Sequence, residues 1–69
     1  MSLYRYEGKE PRIGENCYVS DSARVIGAVT IGDGCYIGHG AIIRGDYGVI
    51  KIGKGTAVEE GVVIHARFE

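Results

Sequence analysis

The sequence is short of the usual devices that hold a small protein together. Its 69 residues contain two cysteines and one proline. Below roughly 70–80 residues a single core supplies about 3–5 kcal/mol, so small folds usually need a staple, a metal or a partner chain. Two cysteines make a disulfide framework a poor expectation. The opening residues 1–6, MSLYRY, are too short and too polar for a signal peptide. No apolar run approaches the ~20 residues of a membrane-spanning helix. A formal net charge of −1 argues against a general nucleic-acid or membrane-surface partner. These absences point to a reduced, cytoplasmic, soluble protein.

What the chain does have is glycine, twelve of them, and a repeat. From Ile13 an aliphatic residue returns every six positions: Ile13, Val19, Val25, Ile31, Ile37 and Ile43. The count slips by three and resumes at Ile52, Val58 and Ile64. No helix has a period of six, and the glycine-rich, β-branched composition disfavours one. The pattern predicts short strands, each ended by a turn. Asn16, Gly34, Gly40, Gly55 and Gly61 all fall three residues after an aliphatic marker, where a left-handed backbone favours glycine or asparagine. One position further on, Cys17, Ala23, Val29, Cys35, Ala41, Thr56 and Val62 are mostly small or apolar, suited to a narrow interior. Three strands closing a triangle make one coil of about 18 residues in a parallel β-solenoid, with coils ~4.8 Å apart. Three stacked columns follow: Ile13–Ile31–Ile52, Val19–Ile37–Val58 and Val25–Ile43–Ile64. The expectation is an all-β, single-domain chain over 1–69, with a cap segment at 1–12, three coils over 13–69 and a bulge near 47–49.

The hexads IGDGCY, IGHGAI and IGKGTA resemble the hexapeptide repeats of left-handed parallel β-helices. Left-handedness is implied by that resemblance, because the general rule for parallel crossovers predicts the right hand. Within that group, GAIIRGDYGVIKIGKGTAVEEGVVIH and the opening YRYEGKEPRIGENCYVSDSARVIG resemble γ-class carbonic anhydrases, from Tyr4 to Arg67. The resemblance implies a homotrimer, zinc, and reversible hydration of CO₂, a small-molecule substrate. Arg44 and Asp46 match an Arg-Gly-Asp whose charges bridge subunits, and His65 matches the first zinc-ligand histidine. Glu59 stands where relatives carry the glutamine that orients the metal-bound water. The departures are specific. Ala57, Glu59 and Glu60 replace Asn, Gln and Asp. The later G-H-x-x-x-x-H that supplies two further ligands is missing, as is the C-terminal helix. The chain therefore reads as a truncated member with an incomplete zinc ligand set, inactive alone. A hexapeptide-repeat acyltransferase with His65 as its base is one alternative. A non-catalytic oligomeric scaffold is the other.

Column arithmetic adds further expectations. His65 lies over Arg44. Asp21, His39 and Glu60 share another column, so in a trimer His65 faces Glu60 or His39 of a neighbouring copy. Cys17 and Cys35 stack as buried thiols rather than a disulfide, and Tyr18 and Tyr36 stack outward. Ile42 and Val63 form an exposed apolar pair suited to trimer packing. Tyr4 and Tyr6 are expected to plug the first coil. The coil at 52–69 is left open, which favours stacking of trimers end to end over an independently stable monomer.

Overall fold

In the computed structural model, residues 2–67 are described; Met1, Phe68 and Glu69, the ends of the expected 1–69 unit, lie outside the described residues. All eight elements are strands: β1 (Ser2–Tyr4), β2 (Arg12–Ile13), β3 (Tyr18–Val19), β4 (Arg24–Ile31), β5 (Tyr36–Ile37), β6 (Ile42–Ile52), β7 (Ala57–Val58) and β8 (Val63–Arg67). Every strand pairing is parallel. One sheet runs β1-β4-β6-β8 with β2 also on β4, and a second runs β3-β5-β7. β4 and β6 each turn a corner and serve two faces. The result is a β-solenoid of roughly three turns, with the left hand of the hexapeptide-repeat fold and no helix among the described residues. Among the described residues no helix is long and apolar enough to cross a membrane.

The spacing of six becomes a stack because each coil's amides donate to the next coil. Gly14 N donates to Ile31 O and Gly32 N to Ile52 O, both at 2.8 Å; Ser20 N donates to Ile37 O at 2.9 Å. The register places Ile13 on Ile31 and Ile31 on Ile52, Val19 on Ile37 and Ile37 on Val58, Val25 on Ile43 and Ile43 on Ile64. All three expected columns form. Val25, Ile31, Ile37 and Ile43 are fully buried, whereas Val62 and Val63 of the third coil are exposed. The thiols are free. Each lies against a carbonyl of the coil above, Cys17 Sγ at 3.2 Å from Gly32 O and Cys35 Sγ at 3.1 Å from Gly53 O, so they fill the corner as small side chains do.

The five expected left-handed corners are all present: Asn16 at φ 59°, and Gly34, Gly40, Gly55 and Gly61 between 69° and 74°. Gly27 is a sixth that the hexad does not mark, at φ 74°. It sits where the extra residues enter. Gly27 pairs with Gly45 but Val29 pairs with Ile50, so one residue on β4 faces four on β6. The insertion near 47–49 therefore does not leave the sheet. It remains within β6, with Tyr47 and Val49 outward and Ile50 turned in.

The N-terminal segment differs from the expected plug. β1 pairs with β4, Leu3 opposite Val25 and Tyr4 opposite Ile26. Strand alternation places Leu3 on the Val25 column and Tyr4 on the opposite side; both are 45% exposed at this end of the stack. Tyr6 instead meets Tyr47 edge-on, with centroids 6.2 Å apart. A turn with Glu7 at φ 49° and Gly8 at φ 79° joins Tyr6 to Lys9 through two backbone hydrogen bonds.

A Cβ on Gly27 would lie 2.6 Å from Gly45 O, whereas one on Gly34 would meet open space. Both substitutions carry the left-handed penalty, roughly 1–2 kcal/mol; only the first adds a backbone clash. In urea unfolding, Gly27→Ala is expected to cost at least about 1 kcal/mol more than Gly34→Ala. Equal losses would show that the two chain paths do not approach at the insertion.

Candidate functional site

The site grows from alternation along β6 and its register with β8. Arg44 and Asp46 are two apart and point to the same side; Gly45 between them is buried against the Ala28 carbonyl and the Val29 side chain, where a Cβ would meet atoms at 2.7–2.9 Å. Arg44 pairs with His65 on β8. Three polar side chains thus share one outward patch. Arg44 donates to Asp46 Oδ2 from Nη2 at 2.8 Å and from Nε at 3.3 Å. The other carboxylate oxygen, Oδ1, accepts the Tyr47 N–H at 3.0 Å and lies 3.9 Å from His65 Nε2. The Tyr47 ring is 6.4 Å from the imidazole. So Arg44 and Asp46, matched to a motif whose charges bridge subunits, pair with each other inside this chain.

Electrostatics follow from those contacts. The hydrogen bonds from Arg44 hold the Asp46 carboxyl below the ordinary carboxylate range, against a smaller opposing effect of burial. Asp46 is therefore an anion at neutral pH, with its side chain 12% exposed and His65 at 36%. At 3.9 Å the imidazole is within ion-pair reach of Asp46 but beyond a hydrogen bond.

Glu59 is placed elsewhere. It lies in the turn after β7, where its carbonyl accepts the Val62 N–H at 3.3 Å, and its side chain is grouped with Glu60 rather than with Arg44, Asp46 and His65. Glu60 anchors a second polar rim. Its carboxylate accepts the Tyr36 hydroxyl and the His39 backbone N–H, and the tyrosine bond is the main cause holding its pKa low. The reciprocal effect pushes Tyr36 up to about 12. Tyr36 stacks on Tyr18 with centroids 5.4 Å apart and an interplanar angle of 17°. His39 is an exposed turn residue, and its Nδ1 bonds the Ser22 hydroxyl, which also accepts the Gly40 N–H at 2.9 Å. The sequence contains one signal for the Ser22–His39 pair: a separation one short of the 18-residue coil puts the two in adjacent corners. Tyr36 to Glu60 has no such signal, because a long side chain spans the offset.

Zinc in tetrahedral sites takes three or four protein ligands. Among the described residues no group of three or more His, Cys, Asp or Glu side chains converges as a metal would require. His65 and Asp46 supply two donors at most, so the residues of one copy do not fit a zinc ion.

With the geometry established, the chain can be placed among known proteins. A family profile described as "Bacterial transferase hexapeptide (six repeats)" matches residues 10–45, which span β2 to the first part of β6. The chain belongs to the bacterial transferase hexapeptide family. Similar proteins include the carnitine operon protein CaiE of Proteus sp. (strain LE138), 43% identical over 65 residues. CaiE of Citrobacter koseri (strain ATCC BAA-895 / CDC 4225-83 / SGSC4696) is 42% identical, and that of Escherichia coli (strain SMS-3-5 / SECEC) is 40% identical. Each alignment covers 94% of this hexapeptide-repeat chain and 33% of the relative. The chain thus spans about a third of the length of the curated relatives it matches.

Two titrations check this site. Replacing Arg44 by Met is expected to raise the Asp46 pKa toward its ordinary value, read by carbon-detected NMR of the carboxyl; an unchanged Asp46 would mean that the pair does not exist in solution. Tyr36→Phe is expected to raise the Glu60 pKa and to remove the tyrosine that ionises near pH 12. The signs are opposite for stability. Because Glu60 is depressed when folded, the Tyr36–Glu60 bond stabilises above the ordinary carboxylate pKa and is lost as pH falls through the folded value. Because Tyr36 is raised, its contribution is complete below about pH 10 and is lost as pH rises through about 12.

Proposed function

We propose that this chain is the coil-building part of a γ-carbonic-anhydrase-like protein of the CaiE type, that it assembles as a homotrimer, and that alone it does not hydrate CO₂. The observation that carries the reading is the stacked trio Arg44, Asp46 and His65. It supplies one imidazole on an outward face, within ion-pair reach of a carboxylate that is itself fixed by an arginine. That is part of a site, with room for groups from a second surface. The half-buried Ile42 and exposed Val63, neighbours in the register beside the trio, give a second copy an apolar strip to cover. Glu59, grouped with Glu60 at the other corner, has no role in this reading except through a neighbouring copy.

A second reading is favoured by one feature. The family description names transferases, and a histidine near a half-buried carboxylate can act as a general base without a metal. In an acyl transfer His65 would take the acceptor's proton from a hydroxyl or amine as that group attacks the acyl carbon, and would return it to the leaving group of the acyl donor as the donor's own acyl bond breaks. Asp46 would stabilise the imidazolium that results.

The distinguishing experiment is metal analysis together with two assays on the purified chain. The leading reading expects substoichiometric zinc, no acceleration of CO₂ hydration, and a trimer by sedimentation. Metal-independent acetyl transfer that disappears in His65→Ala would replace it with the transferase reading. A monomer with no zinc and neither activity would contradict both readings, and the oligomeric scaffold with them.

A further inference from the structure

Beside the N-terminal turn, away from Arg44, Asp46 and His65, an open groove of about 520 Å³ runs along the first face. The segment from Lys9 to Arg12 lines it on one side, and Ala28, Val29, Thr30 and Val49 complete the lining. The backbone bonds between Tyr6 and Lys9, 2.9 and 3.0 Å, fix that side to its own turn. The ladder then adds a third cation. Arg12 pairs with Thr30, and Thr30 with Lys51. Their neighbours Ile13, Ile31 and Ile52 face inward, so these three side chains point out in a column, with Arg12 and Lys51 about 10 Å apart at their Cα atoms across two ladder steps. All three are exposed.

The ion pairs formed among the described residues leave Lys9, Arg12 and Lys51 out. Glu10, which also lines the groove, is bound to Arg5. The whole chain carries a net charge of −1, so these three cations, two of them flanking Thr30, are a local concentration and not a basic surface. At this spacing repulsion between the exposed cations is weak; an anion between them gains charge-assisted hydrogen bonds. The volume is within the range of small-molecule sites.

We propose that this groove binds a small polyanion carrying two oxyanion groups a few ångströms apart, held by Lys9 and Arg12 of its lining and by Lys51, which neighbours Thr30 on the ladder outside that lining. Arg12 and Lys51 approach from opposite sides of Thr30, which suits two anionic ends better than one. The proposal is independent of the reading given for His65.

The test uses the intact chain at low ionic strength with two probes, pyrophosphate and citrate. Binding of at least one is expected with a dissociation constant below about 1 mM, weakening as salt is raised. The amides of Lys9, Arg12, Thr30 and Lys51 should shift together in NMR spectra. Pyrophosphate alone would assign the site to phosphoryl groups, citrate alone to carboxylates. Arg12→Gln combined with Lys51→Gln is expected to weaken binding about tenfold or more. Lys54→Gln, an exposed cation outside the groove, should leave it unchanged. Thr30→Val, which keeps all three charges, should weaken binding less than the double charge variant. Absence of binding by either probe, shifts centred elsewhere, or equal loss in Lys54→Gln would overturn the proposal.

Discussion

The structure depends on the parallel hydrogen-bond ladder that joins each coil to the next. A strand of two residues has no stability alone. It persists here because its amides and carbonyls are shared with identical positions one coil away, as Tyr18 N shares Cys35 O and Tyr36 N shares Thr56 O, each at 2.9 Å. Once that register is set, burial follows. Val25 has nowhere to be except over Ile43, and Ile37 nowhere except over Val58, and their exclusion from water is the main apolar gain of the fold. Corners are tied in the same way, with Gly34 N on Glu15 O and Gly55 N on Asp33 O, both 2.8 Å.

The same ladder creates the chemistry. His65 meets Arg44 because their strands are paired; Arg12, Thr30 and Lys51 align because theirs are. The insertion in β6 then individualises one edge. It adds Asp46 and Tyr47 to the patch beside His65, gives Tyr6 a ring to pack against, and forces Gly27 and Gly45 into close approach. A regular solenoid is uniform along its axis. The departure from regularity is where the titratable groups gather, and the Arg44–Asp46 pair fixes the charge there before any ligand arrives.

Much of this was legible in the sequence for a physical reason. Stacking is strictly periodic, so the three columns, the five left-handed corners, the Arg44–His65 pair and the Tyr18–Tyr36 stack could be read from spacing. Gly27 could not, because it serves the insertion and falls outside the hexad. Leu3 was missed as the residue beneath Val25 for a similar reason: the turn at Glu7–Gly8 breaks the count, and Tyr4 and Tyr6 drew attention as larger apolar groups. Contacts made by long side chains across columns, Tyr36 to Glu60 and Tyr6 to Tyr47, obey no period. Arg44 and Asp46 were recognised as a motif, but their closure on each other depends on rotamers and on the small Gly45 between them. The left hand of the coil came through family resemblance rather than through any local rule.

The most direct test of the account is the set of interstrand nuclear Overhauser effects in the labelled protein. Parallel stacking predicts contacts between Ile13 and Ile31 and between Val19 and Ile37, eighteen residues apart. It predicts others between Ile31 and Ile52 and between Arg44 and His65, twenty-one apart across the insertion. Contacts of antiparallel pattern, or a spacing of eighteen persisting from Ile31 onward, would contradict it.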